Sequence, residues 1–134
     1  MSKKVLVVDD EEVVRKVLRK HLAKLGYEVK EAADGEQALE ELENDNFDLV
    51  ICDIMMPKKD GWQVLKEIKS NPKIAHIPVI VLTAKNECAD MRKGYKLDAD
   101  YYITKPFSQA QLIYEIKLML GEISAEVIDV YIAN

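Results

Sequence analysis

A chain of 134 residues with 49% hydrophobic and 32% charged residues can build one domain around a real core, which excludes wholesale disorder. Its formal charge of −5 and pI near 5.1 exclude a generally basic surface, so no direct nucleic-acid contact is expected of this domain. No apolar run reaches membrane-spanning length, no signal-peptide pattern opens the chain, and Cys52 and Cys88 lack metal or disulfide spacing, so the expectation is a reducing cytoplasm and no membrane.

Val5-Leu6-Val7-Val8 reads as a first strand closed by Asp9-Asp10. Val13, Val14, Val17, Leu18, Leu22 and Leu25 then recur at helical spacing up to Gly26, a natural C-terminal stop. Tyr27 to Ala32 is β-rich and alternates weakly, as a strand near an edge does. Asp34-Gly35-Glu36-Gln37 has the form of a capping box opening a second helix through Leu42, and Asn44-Asp45-Asn46 is a turn. Phe47 to Cys52, interrupted only by Asp48, is an apolar run of the kind buried on both faces, and it stops at an acid, Asp53. After a loop with Pro57 and Asp60-Gly61, a third helix carries Val64, Leu65 and Ile68 and breaks at Asn71-Pro72. Pro78 to Leu82 is a fourth buried strand, with proline at its entrance. Glu87 to Tyr95 is a short polar fourth helix, Tyr101 to Ile103 a fifth strand, and Ser108 to Leu120 a fifth helix.

Five β-α units predict an α/β fold: a mostly parallel five-stranded sheet, helices on both faces, right-handed crossovers. Residues 1–120 make this domain and 121–134 an extension. Ile123, Val127 and Val130 keep the helical phase of Ile116 and Met119, so the extension is expected to continue the helix, with a linker stub as the alternative.

In such a sheet the strands end at one edge, where open α/β folds place their ligands. Asp9 and Asp10, Asp53, Thr83 and Lys105 collect there. Three carboxylates repel one another unless a cation lies among them, and a hard divalent ion, Mg²⁺ or alternatively Mn²⁺, suits oxygen ligands. That ion and the Lys105 ammonium together balance the three acids and leave a site ready for an anionic phosphoryl group. Lys105 would act as a point charge on phosphoryl oxygens and Thr83 as a short hydroxyl donor. Asp53 would be the nucleophile, forming an acyl phosphate. Each residue alone has a blander role: Asp10 as N-cap of the first helix, Thr83 as cap of the fourth, Lys105 as a solvated lysine. Their convergence on one edge favours the shared site.

Val7-Val8-Asp9-Asp10, then Asp53-Ile54-Met55-Met56-Pro57 with Asp60-Gly61, then Ile77 to Ala84, then Lys105-Pro106-Phe107 resemble the receiver domain of two-component response regulators, chemotaxis regulators included. The match runs from about Lys4 to Leu120. The resemblance implies a flavodoxin-like strand order, 2-1-3-4-5. It implies phosphorylation of Asp53 from a sensor histidine kinase or a phosphotransfer protein, with Mg²⁺ required. By the same resemblance Asp10 and Asp53 ligate the metal directly, the Met55 backbone carbonyl is a third ligand, Asp9 acts through water, and the Lys105–Pro106 bond is cis.

A switch is implied too. Thr83 moves toward the phosphoryl group, Tyr102 rotates into the vacated space, and the face made by the fourth helix, fifth strand and fifth helix repacks. That face would serve a downstream effector, an output domain outside this chain, or a second copy in a homodimer. The family docks its kinase on the first helix, which makes Val14, Leu18 and their neighbours candidate contacts. Such a domain is not a turnover enzyme; single self-phosphorylation and slow autodephosphorylation are expected.

Departures from the family pattern carry their own expectations. Asp98-Ala99-Asp100 stands where the family often has glycine first, and Asp tolerates a left-handed turn. Met55 and Lys85 flank the phosphoryl site, and an apolar thioether cannot orient an attacking water. A haloacid-dehalogenase-like phosphatase would instead resemble Asp-x-Asp, with a second acid where this chain has Met55. A flavin or nucleotide module would want a Gly-rich or hydroxyl-rich loop after the first strand, where this chain has Asp9-Asp10-Glu11-Glu12. His21 and His76 are isolated, and Arg15, Lys16, Arg19 and Lys20 read as a solvated basic face.

Overall fold

The computed structural model describes residues 3–53, 61–84, 101–105 and 107–123, with 84, 104 and 105 described by their backbone. The elements are β1 (Lys4–Val8), α1 (Glu12–Lys24), β2 (Glu28–Ala32), α2 (Gly35–Asn44), β3 (Leu49–Asp53), α3 (Gly61–Ser70), β4 (Val79–Ala84), β5 (Tyr101–Lys105) and α4 (Gln109–Met119). All strand pairings are parallel, in the order β2-β1-β3-β4-β5. The expected strand order and α/β class are thus observed. The expected fourth helix, Glu87 to Tyr95, and the Asp98-Ala99-Asp100 turn lie outside the described residues. Among the described residues no helix is long and apolar enough to cross a membrane.

Period-two alternation along the strands divides the core in two. Leu6, Val8, Val50, Cys52, Val79 and Val81 point to the face covered by α2 and α3. Val5, Val7, Leu49, Ile51, Ile80 and Leu82 point to the face covered by α1 and α4. Every residue of β3 is buried, as its apolar run requires, whereas edge strand β2 is only partly buried.

The helix ends follow local chemistry. Asp34 caps α2, its carboxylate accepting from the Gln37 N–H at 2.9 Å, while Gln37 reaches back to the Ala33 N–H at 2.9 Å. Ser108 caps α4 by accepting from the Gln111 N–H at 3.0 Å. Asp10 is not the cap of α1: Glu11 holds that position without a side-chain bond. α4 does not run on through Gly121. That residue is left-handed at φ 73°, and the Gly121 and Glu122 N–H groups bond back to the Leu118 and Lys117 carbonyls at 3.1 and 2.9 Å. The closing turn is anchored by the Tyr27 hydroxyl, which donates to Glu122 at 2.6 Å. Residues 124–134 lie outside the described residues.

The apolar face of α1 is narrower than its periodicity. Leu18 and Leu22 are buried, but Val13 is 74% and Val17 48% exposed. Leu18 is therefore a core residue rather than the surface contact expected of it. Val13 and Val17 border an apolar groove of about 310 Å³ between α1 and α4, whose opposite wall includes Phe107 and Ile113. His21 closes one side, its Nδ1 lying 3.0 Å from Gln109 Nε2.

Glu115 is the one glutamate buried among the described residues, on α4 beside Tyr101 of β5. Its Oε2 has no hydrogen-bond partner there. Burial pushes the carboxyl above its ordinary value of 4.5, and the Tyr101 hydrogen bond only partly offsets this. The native state therefore holds the proton more tightly than the unfolded chain does. The resulting stability is present below pH 4.5 and lost as pH rises through the native value. Glu115→Gln is expected to stabilise the protein at neutral pH by on the order of 1 kcal/mol and to be neutral in acid. Urea unfolding at both pH values checks this; a variant no more stable at neutral pH refutes it.

Candidate metal and phosphoryl site

β1 and β3 are neighbours, with Val8 paired to Cys52, so the residues that follow each strand partner emerge side by side. Asp9 is fully buried, Asp53 is 5% exposed, and Asp10 is turned to solvent. One carboxylate oxygen from each of Asp9, Asp10 and Asp53 lies within 4.8 Å of the others. This donor set fits a hard divalent ion: all oxygen, mostly desolvated, and too close for three charges to coexist comfortably without a cation.

β4 adds the next component. Asp53 is in register with Leu82, which places buried Thr83 one residue further toward the same edge. Ala84 pairs with Lys105, so the backbone of Lys105 also ends there; its side chain, Pro106, Lys85 and Met55 lie outside the described residues. The cis Lys105–Pro106 bond and the Met55 carbonyl ligand fall outside them as well. Val81 pairs with Tyr102, and Thr83 lies two residues beyond Val81 on the same face of the sheet, so Thr83 and Tyr102 are diagonal neighbours. The Tyr102 ring is half-buried, its centroid 6.0 Å from that of Trp62 on α3.

The turn between β1 and α1 is held at several points. The Asp9 N–H donates to Ala32 of β2 at 3.1 Å, and the Asp9 carboxylate accepts from the Glu11 N–H at 2.9 Å. Arg15 Nη1 donates to the Asp9 carbonyl at 2.7 Å, while its Nε donates to Glu31 at 3.2 Å. Lys16 and Arg19 also reach Glu31, at 3.0 and 2.9 Å. Burial alone would push the Glu31 carboxyl up, but the hydrogen bonds from Arg19, Lys16 and Arg15 outweigh it and hold it below its usual value. Taken from sequence as part of a solvated basic face, Arg15 is mostly buried here. Its single signal in the sequence is a cation five residues after Asp10, which does not distinguish an exposed side chain from one folded back onto the turn.

Comparison with known proteins agrees with this geometry. The model of the response regulator receiver domain family matches residues 5–117. The chain belongs to that family. It is 46% identical over 119 residues to a probable transcriptional regulator, ycf27, of Cyanophora paradoxa, covering 89% of this chain and 48% of the relative. It is 42% identical over 127 residues to the alkaline phosphatase synthesis transcriptional regulatory protein PhoP of Bacillus subtilis, covering 93% of this chain and 52% of the relative. The chain thus spans about half the length of these curated relatives. Among solved structures, the response regulator TrrA of Thermotoga maritima in complex with Mg²⁺-BeF superposes with a TM-score of 0.77 at 37% identity, covering 88% of this chain and 99% of that one.

Proposed function

We propose that this receiver domain takes a phosphoryl group on Asp53 from the phosphohistidine of a sensor histidine kinase or phosphotransfer protein, in the cytoplasm and with Mg²⁺. The observation that carries the reading is the meeting of the Asp9, Asp10 and Asp53 carboxylates within 4.8 Å at the strand ends. Asp10, Asp53 and the Met55 carbonyl would hold the ion directly and Asp9 through water. The ion's role is to neutralise charge on the acids and on the incoming phosphoryl oxygens.

An Asp53 carboxylate oxygen attacks phosphorus, the bond from phosphorus to the histidine nitrogen breaks, and the donor histidine leaves with the electron pair. The Thr83 hydroxyl then donates to one phosphoryl oxygen and the Lys105 ammonium to another. Drawing Thr83 toward the phosphate frees space beside its diagonal neighbour Tyr102, and inward rotation of that ring repacks the face that includes β5 and α4. A few kcal/mol of differential interaction suffices for such a population shift. The relatives' names suggest that the output is transcription, carried by a segment outside this chain or by a partner, with a homodimer through the same face as one means of transmission.

The test is incubation with acetyl phosphate and Mg²⁺. One hydroxylamine-labile phosphoryl group per chain, abolished by EDTA, is expected; repeated turnover of small phosphate esters would instead make the protein a phosphatase. Because Met55 cannot orient a water, Met55→Asn is expected to speed phosphate loss several-fold. Timing the decay of the adduct decides this, and equal or slower loss in the variant removes the assigned role of Met55.

A further inference from the structure

We infer that Arg15 is a positioning residue for the divalent-ion site: tied to Glu31, its guanidinium holds the Asp9 carbonyl and with it the turn that presents the Asp9 and Asp10 carboxylates. This rests on the reading of that site given above. The turn has a demanding task. Between the end of β1 at Val8 and the start of α1 at Glu12 it must send two consecutive acids in different directions, Asp9 inward and Asp10 outward, with both within reach of Asp53. α1 lacks a side-chain N-cap, so the helix start is tied to the segment through the Glu11 N–H on the Asp9 carboxylate.

Arg15 adds a constraint on the Asp9 carbonyl to those that the Ala32 and Glu11 bonds place on the Asp9 N–H and carboxylate. A guanidinium is a rigid plane with several donors in fixed directions, so contacts at 2.7 Å to the Asp9 carbonyl and 3.2 Å to Glu31 define where that carbonyl sits relative to β2. Glu31 serves as an anchor because it lies on β2, opposite Val7 of β1, and its other oxygen accepts from Lys16 and Arg19. The pair is largely withdrawn from solvent, at 14% and 10% side-chain exposure, so it is not the weak surface kind. A connected path of directed bonds runs from β2 through Glu31 and Arg15 to the residue that begins the acidic pair.

The sign of the effect separates this role from simple electrostatics. A cation beside a cation site repels the incoming ion, so removing Arg15 would tighten metal binding if charge were its whole contribution. A positioning role predicts weaker binding. A purely structural role predicts a less stable fold whose folded molecules bind metal as before.

Mn²⁺ is the probe, its binding read from the loss of the free-ion electron paramagnetic resonance signal, with the folded fraction set by circular dichroism. Arg15→Met is expected to weaken binding about tenfold, as loss of a group that orients a metal ligand commonly does. Arg15→Lys keeps the charge but not the fork and is expected to restore less than half of that loss. Arg19→Ala, which also removes a cation from Glu31 but touches no part of the turn, is expected to bind as the wild type does. Glu31→Gln, a milder change, is expected to weaken binding in the same direction and keeps the question open to test should Arg15→Met fold poorly. Unchanged or tighter binding in the Arg15 and Glu31 variants overturns the inference, as does an equal loss in Arg19→Ala. If the wild type itself takes up no Mn²⁺, the reading of the site falls first.

Discussion

Asp53→Asn is expected to take up no phosphoryl group from acetyl phosphate and yet to be more stable than the wild type in EDTA. The loss is total because an amide nitrogen has no lone pair available to attack phosphorus, and neither Asp9 nor Asp10 stands beside Thr83 as Asp53 does. The gain arises from the same geometry. Three carboxylates with oxygens within 4.8 Å repel one another, and deleting one charge while keeping its shape relieves about 1–3 kcal/mol at the effective dielectric of a partly buried site. Adding Mg²⁺ should narrow or reverse the difference, because an ion that binds the native wild type stabilises it by mass action. Urea unfolding with and without Mg²⁺, beside a count of phosphoryl groups per chain, gives both readings. An adduct that persists in the variant defeats Asp53 as acceptor, and a variant less stable in EDTA defeats the repulsive site.

Val17→Asp is expected to cut the rate of phosphotransfer from a histidine kinase by roughly 10–100-fold while leaving phosphorylation by acetyl phosphate unchanged, the equivalent of burying one valine at an interface. Val17 is half exposed and borders the groove between α1 and α4, whose walls are valine, leucine, isoleucine and phenylalanine apart from His21 and Gln109 at one side. A folded chain does not need Val13 and Val17 in water, and a partner helix would cover both. Since the side chain is already solvated, the aspartate should cost little stability, about 0.5 kcal/mol or less. Leu18→Asp would be a poor substitute because Leu18 lies in the core and its loss unfolds the molecule. Equal rates with both donors for the wild type and Val17→Asp would remove the groove as the docking surface, and parallel losses with both donors would show damage to the site itself.

β3 was legible because a strand covered on both faces has no room for polar residues, so an acid after Cys52 marks its end. Asp9, Asp53 and Thr83 were legible for the same reason: in a parallel sheet the residue after each apolar run appears at one edge. α1 was legible as a helix but not as a surface. Its valines and leucines share a period, and how much of that stripe the sheet covers depends on where α4 lies against it. The spacing alone therefore does not separate solvent-facing Val13 and Val17 from buried Leu18 and Leu22. For Asp10 the sequence left a cap open as the alternative to the ion site; the cap position falls to Glu11, Asp9 folds its carboxylate onto the Glu11 N–H, and Asp10 lies within reach of Asp9 and Asp53.

By itself the order of apolar runs and strand-end acids determined the class of fold and the edge at which Asp9, Asp10, Asp53 and Thr83 meet, since both follow from local burial and chain alternation. Tertiary structure alone decided which face of α1 remains open, that α4 closes at Gly121 onto Tyr27, and that Arg15 reaches both Glu31 and the Asp9 carbonyl. The physical reason is separation along the chain: an ion pair between residues 15 and 31, or a hydroxyl of Tyr27 on Glu122, exists only once the strands are in register and the helices are packed.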